Sequence, residues 1–207
     1  ETVTADRVLI ATGAKPRDLP FAPCDGNTII NSAHAMTLES RPESLVIIGS
    51  GAIGMEFAYV YNVFGTKVTV IEMLDRILPV EDEEVSKLAQ RAFKKQGITF
   101  HTNTGVKNIG LSGDGGTVTY SPIGEDSKEE TITGEKILIA IGVAPRCDGL
   151  FSDSLGIELD RGFIKTDAKE VETPTYKTNV PGIYAIGDII GPPLLAHVAS
   201  EEAVTCV

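Results

Sequence analysis

Continuous apolar runs of strand length alternate along the chain with a stretch of helical periodicity. The runs LVII at 45–48 and KVTVIE at 67–72 are typical of buried strands. Between them, apolar residues recur every three or four positions, at Ile53, Phe57, Tyr61 and Phe64. The order strand, helix, strand predicts a βαβ unit with parallel strands.

The pattern continues with a second helix and then changes. Residues 82–97 have helical periodicity, and a strand is predicted over 98–103. The predicted apolar face of this helix consists of Val85, Leu88, Ala89, Ala92 and Phe93. Short segments within 105–134, separated by Gly, Asp and Ser, predict an antiparallel meander, and 136–142 is again a buried strand.

The flanking regions are looser. Further strands are predicted over 7–12, 163–167 and 183–186, and a helix from 196 onward. Ser32 is predicted to cap a short helix over 33–38. The fold class that follows is α/β, with a Rossmann-like parallel sheet and its helices, a three-stranded antiparallel meander, and additional pieces at both ends.

Composition and charge exclude several functional classes. The 207 residues carry a net charge of −11, which disfavours binding to nucleic acid or to an anionic membrane surface. No apolar run reaches the roughly 18–20 residues of a membrane span. The three cysteines, Cys24, Cys147 and Cys206, have neither disulfide-framework nor metal-site spacing. Unpaired thiols suit a reducing compartment, so we expect the cytoplasm, or the mitochondrial matrix in a eukaryote.

The motif GSGAIG at 49–54 carries the clearest chemistry. It follows a predicted strand and opens a predicted helix, which is the context of a dinucleotide-binding loop. Gly49 permits the tight turn, Gly51 lets the backbone approach a pyrophosphate, and Gly54 allows the helix to pack on the strand. Glu72 ends the next strand, where a carboxylate accepts ribose hydroxyls and repels a 2′-phosphate. The pattern therefore favours NAD over NADP.

Other polar residues remain ambiguous from spacing alone. Glu56 could complement the dipole of its helix or point toward the nicotinamide end of a dinucleotide. Asp188, at the end of an apolar strand, could accept a hydrogen bond from a ligand hydroxyl or belong to a surface turn. His34, His101 and His197 lack acidic or cysteine partners at informative spacings. The residues contain no evident nucleophile, acid–base pair or metal site.

Four segments together resemble the pyridine nucleotide-disulfide oxidoreductase family. VLIATGAKPR at 8–17 and ILIAIGVAPR at 137–146 are similar to its two Ala-Thr-Gly-type motifs. GIYAIGD at 182–188, followed by LLAHVASEEA, is similar to its flavin-contacting segment. Residues 45–90 are most similar to the members that oxidise dihydrolipoamide. Arg146 and Cys147 depart from the family pattern, which more often has Asn and a small residue at these positions.

The resemblance implies a domain order and two cofactors. It places a NAD-binding domain at 30–147, between the end of a first FAD-domain segment at 1–29 and a returning FAD-domain segment at 148–207, which includes the start of the link to a dimer-interface domain. The residues it assigns to NAD are Gly49, Ser50, Gly51, Ala52, Ile53, Gly54, Glu56, Glu72, Val106 and Gly142. The residues it assigns to FAD are Thr12, Gly13, Asp188, Leu194, Leu195, Ala196 and His197.

The resemblance also implies that the chain is an internal piece of a longer enzyme. The family's flavin GxGxxG motif, its CxxxxC redox disulfide and its His–Glu pair are not in this sequence. We expect the whole protein to be a homodimer that oxidises dihydrolipoamide on a lipoyl-bearing protein of a 2-oxoacid dehydrogenase complex. Electrons would pass through the disulfide and FAD to NAD. The piece alone is expected to be inactive, and the missing flavin GxGxxG motif disfavours retention of FAD.

Three other functions are compatible with parts of the sequence. One is another family member, an NADH-linked reductase of disulfides, metal ions or oxygen. A second is a non-catalytic NAD-binding module, which the flavin-type motifs at both ends disfavour. A third is a methyltransferase-like domain, which the Gly-Asp segment and the meander disfavour.

Overall fold

The computed structural model describes residues 1–124, 128–169 and 171–207. Its strands, in chain order, are β1 (Val8–Ile10), β2 (Ala14–Pro16), β3 (Ile29–Ile30), β4 (Ser44–Ile48), β5 (Lys67–Ile71), β6 (Thr99–His101), β7 (Thr104–Ser112), β8 (Gly115–Pro122), β9 (Glu130–Gly134), β10 (Lys136–Ile139), β11 (Val143–Pro145), β12 (Leu159–Asp160), β13 (Phe163–Ile164) and β14 (Ile183–Ala185). Its α-helices are α1 (Ser32–Ala35), α2 (Ala52–Val63), α3 (Glu83–Lys95) and α4 (Ala196–Cys206).

The chain divides into two compact units. The inner unit is Pro16–Gly142, and the outer unit combines Glu1–Lys15 with Val143–Val207. These limits differ from the predicted domains, which begin the NAD domain at residue 30 and end it at 147. The reason is packing: Leu19, Ala22 and Cys24 contribute to a core of the inner unit, so the connector before residue 30 belongs to it.

A parallel sheet forms the centre of the inner unit. Among the described residues its strand order is β3–β10–β4–β5–β6, and every neighbouring pair is parallel. Leu45 and Ile47 pack into one apolar cluster with α1 and α2, whereas Val46 and Ile48 pack into a second cluster with the β7–β8–β9 meander. Because both faces of the sheet are covered, its strands are apolar at successive positions. The predicted α/β fold, with its parallel sheet and antiparallel meander, is confirmed.

Helix α2 buries part of the predicted face, since Tyr61 lies in the core and Phe57 packs against it, and it also buries residues beside that face. Its buried residues are Gly54, Met55, Ala58 and Tyr61, whereas Phe64 is 70% exposed. A Cβ on Gly54 would lie closer than 3.0 Å to the Gly49 carbonyl oxygen. The helix therefore turns Gly54, Ala58 and Tyr61 toward the sheet, and of the predicted stripe only Phe64, which follows the helix end at Val63, is largely in solvent.

Two other local predictions are corrected in the same way. In α3, Ala89 and Phe93 of the predicted face pack against the core, whereas Val85 and Leu88 are exposed. Ser86 is buried instead, and its hydroxyl donates to the Leu78 carbonyl at 3.1 Å. The short helix α1 is capped by Asn31 rather than by Ser32, since the Asn31 side chain accepts from two N–H groups of the first turn. Capping and anchoring to a loop thus outweigh the apolar periodicity.

The outer unit is built from pairs of strands. β1 pairs in parallel with β14, β12 pairs with β13 as a hairpin, and β2 pairs with β11 where the chain passes between the units. Its core is one cluster that includes Ile10, Ile164, Tyr176 and Ile189. In the described part of the chain, no helix is long and apolar enough to cross a membrane.

Candidate functional site

The predicted nucleotide-binding residues of the inner unit follow the carboxyl ends of adjacent strands. The glycine loop at 49–54 follows β4, Glu72 follows β5, and Gly142 lies shortly after β10. These three strands are neighbours in the sheet, and the strand order reverses between β4 and β10. Ligands of open α/β sheets bind in the crevice at this topological position.

The three glycines of the loop differ in what surrounds them. A Cβ at Gly49, where φ is +99°, would clash with the Ala140 carbonyl, and one at Gly54 would clash with the Gly49 carbonyl. At Gly51, by contrast, nothing lies within 4 Å of the Cβ position. Packing therefore explains glycine at 49 and 54. Open space at Gly51 is what close approach by a pyrophosphate needs.

The amino terminus of α2 is suited to an anion. Gly51 is its N-cap, with no side-chain hydrogen bond to the first turn and no acidic residue there. In α3, the Asp82 side chain accepts from the N–H groups of Glu84 and Val85, and the first turn holds two glutamates. The α3 terminus is thus capped, whereas the α2 terminus leaves its N–H groups and partial positive charge to a ligand.

Glu72 is buried and held by hydrogen bonds. Its exposed fraction is 7%. Oε2 accepts from both the N–H and the hydroxyl of Ser50, each at 2.7 Å, and Oε1 accepts from the Leu74 N–H at 2.8 Å. The carboxylate therefore has a defined position next to the glycine loop. Its contact with a ribose stays a prediction.

The other residues assigned to NAD are placed as follows. Glu56 is an exposed residue of α2 and has no side-chain partner among the described residues. Val106 is half-buried on β7, close in the chain to Thr104, whose N–H donates to the Glu72 carbonyl. Gly142 is exposed at a φ of +105°, with nothing within 4 Å of its Cβ position.

The next basic residue after Glu72 is engaged locally. The Arg76 guanidinium donates to Asp75 Oδ1 at 3.3 Å and to the Pro79 carbonyl at 3.2 Å. These contacts hold it on its own loop. The absence of a cation for a 2′-phosphate stays a prediction.

All residues assigned to FAD fall in the outer unit. Gly13 has a φ of +71° with open space at its Cβ position, and the Thr12 hydroxyl donates to the Arg146 carbonyl. Asp188 lies in the 3-10 turn Gly187–Ile190, and its carboxylate has no partner within the described residues. Exposed residues then lead into and begin α4: Leu194, Leu195, Ala196 and His197.

One residue that supports the Gly-Asp turn could not be identified from the sequence. Glu202 of α4 accepts from the Gly187 N–H at 2.6 Å, and Gly187 has a φ of +74°. This bond links the turn to the helix. Two consecutive glutamates, 201 and 202, precede the end of the helix, and no local pattern distinguishes which of them turns inward.

The thiols are not activated. Burial, followed by the hydrogen bond and charge of Asp18, raises the pKa of Cys24 to about 12. Burial also raises the pKa values of Cys147 and Cys206. Because the thiolate is the reactive form, these cysteines are poor nucleophiles near neutral pH.

Comparison with known proteins decides the family. The sequence profile of the pyridine nucleotide-disulphide oxidoreductases matches residues 1–203. The chain belongs to this family. It is 42% identical over 203 residues to dihydrolipoyl dehydrogenase of Chlorobaculum tepidum, covering 98% of this chain and 42% of that protein. It is 37% identical to leghemoglobin reductase of Glycine max, over 99% of this chain and 38% of that protein.

A solved structure shows the same fold. LpdA from Mycobacterium tuberculosis superimposes with a TM-score of 0.84 at 34% identity, covering 97% of this chain and 41% of that one. The chain spans about two-fifths of the length of the curated relatives named above. Members of this family use NAD and FAD. The open glycine loop and the unpartnered Asp188 fit these two groups.

Proposed function

We propose that this chain is the NAD-binding part of a flavoprotein that oxidises dihydrolipoyl groups. The observation that carries the proposal is the glycine loop. At positions 49 and 54, backbone atoms leave no room for a Cβ. At position 51 the Cβ position is surrounded by open space, beside the uncapped amino terminus of α2. The similarity to dihydrolipoyl dehydrogenases over nearly the whole chain supports the choice of enzyme.

In this proposal the residues bind and orient the dinucleotide. The first N–H groups of α2 hold the pyrophosphate, and Glu72 accepts a ribose hydroxyl and repels a 2′-phosphate. Val106 and Gly142 border the site, and Glu56 lies toward the nicotinamide end. When bound, the nicotinamide ring supplies hydride-accepting chemistry. Thr12, Gly13, Asp188 and residues 194–197 would contact FAD.

The activity of the whole protein is part of the same proposal. A dihydrolipoyl dithiol is oxidised to its disulfide while NAD⁺ is reduced to NADH with release of one proton. The dithiol would be carried by a lipoyl-bearing protein of a 2-oxoacid dehydrogenase complex, and the enzyme would act as a homodimer in the cytoplasm or the mitochondrial matrix. The 207-residue chain alone would bind NAD without turnover, since its three cysteines lie outside a CxxxxC motif.

A second candidate is a reductase that passes electrons from NADH to another acceptor. The similarity to leghemoglobin reductase favours it. Both candidates require the same NAD site. A turnover assay of the whole protein separates them: NAD⁺ reduction with dihydrolipoamide supports the first, and acceptor reduction without lipoamide activity supports the second.

Calorimetric titration of the 207-residue chain with NADH and NADPH tests nucleotide binding. We expect NADPH to bind at least tenfold more weakly, a difference of about 1.4 kcal/mol. Gly51→Val should abolish NADH binding without unfolding, because its added atoms enter open space. Gly110→Val is the matched control, since position 110 on β7 is equally open. Absence of NADH binding by the unmodified chain would contradict the proposal.

A further inference from the structure

The side chain of Ser50 makes a contact that nucleotide binding alone does not require. Ser50 is fully buried, and both its N–H and its hydroxyl donate to the same oxygen, Oε2 of Glu72, at 2.7 Å. The serine thus comes from the glycine loop after β4 and holds the acid at the end of β5. It links the glycine loop to Glu72, the residue proposed to bind the ribose.

The number of acceptor positions on Glu72 limits what the carboxylate can still bind. A carboxylate has about four lone-pair positions, two on each oxygen. Ser50 fills both positions on Oε2, and the Leu74 N–H fills one on Oε1. One position remains, on Oε1. A carboxylate in this state can accept one hydroxyl of a vicinal diol, not both.

We propose that Ser50 is a positioning residue that restricts Glu72 to a single ribose hydroxyl, accepted at Oε1. The inference rests on the proposed binding of NAD at this site. Without the serine hydroxyl, Oε2 would regain one acceptor position while keeping the bond from the backbone N–H. Glu72 would then accept both hydroxyls of the diol.

Two NADH analogues that lack either the 2′- or the 3′-hydroxyl of the adenosine ribose test this count. In calorimetry with the unmodified chain, one analogue should bind about tenfold more weakly than NADH, the value of one hydrogen bond to a charged group. The other should bind within about twofold of NADH. In Ser50→Ala, both analogues should bind at least about fivefold more weakly than NADH does to the same variant.

Ser86→Ala is the matched control. Ser86 is also fully buried in the inner unit and donates one side-chain hydrogen bond, but to the Leu78 carbonyl. This variant should keep the asymmetry between the two analogues. Ser50→Thr retains the hydroxyl and should keep it as well. A merely structural role of Ser50 would lower all affinities together and leave the asymmetry unchanged.

The outcomes separate the two proposals. The unmodified chain could bind NADH but bind both analogues equally weakly, or both as tightly as NADH. The proposed role of Ser50 would then be wrong, and the proposed binding of NAD would be retained. If Ser50→Ala keeps the asymmetry, the role of Ser50 is likewise wrong. If the unmodified chain does not bind NADH, both proposals fail.

Discussion

The inner and outer units bury apolar residues to very different extents. In the inner unit, the strands of one sheet are covered on both faces, and Leu45, Ile47 and Leu138 are fully buried. In the outer unit, β1 belongs to a two-stranded pair, and Val8 and Leu9 are 49% and 42% exposed. The parallel sheet of the inner unit thus covers its apolar strands on both faces, whereas β1 of the outer unit buries Ile10 and leaves Val8 and Leu9 partly exposed.

This difference has a consequence for stability. Burial of apolar area is the main favourable contribution to folding. The contribution of a leucine to stability therefore depends on how deeply its side chain is buried, even where the strand sequences are alike. We therefore expect Leu138 of the inner unit, which holds the proposed NAD site, to contribute more than Leu9 of the outer unit. Matched substitutions in the two units test this directly.

The largest expected effect is that of Leu138→Ala. This residue of β10 is fully buried in the helix-facing cluster, so its truncation leaves a cavity. We expect a loss of about 2–5 kcal/mol in the free energy of unfolding, measured by urea denaturation.

Leu9→Ala is the control for Leu138→Ala. The same chemical change at a residue that is 42% exposed should cost less than about 1 kcal/mol. Equal losses in the two variants would show that Leu9 is covered in solution, and the contrast between the units would then be wrong.

An intermediate effect is expected for Glu202→Ala. The variant removes the carboxylate that accepts from the Gly187 N–H at 2.6 Å, a charge-assisted bond of about 1.5–3 kcal/mol. Hydrogen exchange around residues 183–191 should speed up, while NADH affinity, which depends on the inner unit, stays within about twofold. Glu201→Ala, the neighbouring exposed acid, should leave both measurements unchanged. A parallel loss of NADH affinity would contradict independent roles for the two units.

The smallest effect concerns the pH dependence of the outer unit. Burial raises the pKa of Asp167, but the hydrogen bonds it accepts from Thr175 and from the Tyr176 and Lys177 backbone lower it overall below 3.8. A lowered pKa in the folded state means stability that is present above pH 3.8 and lost as the pH falls through the folded-state pKa.

Asp167→Asn should therefore remove part of this acid sensitivity. We expect a shallower fall in stability below about pH 4, by less than about 1 kcal/mol because solvent screens the group. Thermal unfolding between pH 5 and pH 3 measures it, with Asp160→Asn, an exposed acid of the same unit, as the control. An unchanged pH profile in Asp167→Asn would refute the contribution.

Element order was predictable, and the buried face of each helix was predictable in part, through Tyr61 and Phe57 of α2 and Ala89 and Phe93 of α3. The βαβ unit, the second helix and the meander follow from local periodicity, which the structure confirms. Phe64 and Leu88 fit that periodicity and are nevertheless 70% and 64% exposed. Phe64 follows the end of α2 at Val63, and close contacts with the preceding loops fix how each helix is turned: Gly54 lies against the Gly49 carbonyl, and the Ser86 hydroxyl donates to the Leu78 carbonyl. Periodicity indicates that a helix has an apolar face, whereas close contacts decide which residues of the helix are turned toward the core.

The sequence by itself determined the fold class, the glycine motif with its following acid, and the family, because these depend on residue types at short, regular spacings. Only the tertiary structure decided that Gly51 is open while Gly49 and Gly54 are closed. Only the tertiary structure showed the hydrogen bonds that Glu72 accepts from Ser50 and that Glu202 accepts from the Gly187 N–H. Each of these is a contact between different segments of the chain, and such contacts exist only once the strands and helices have packed.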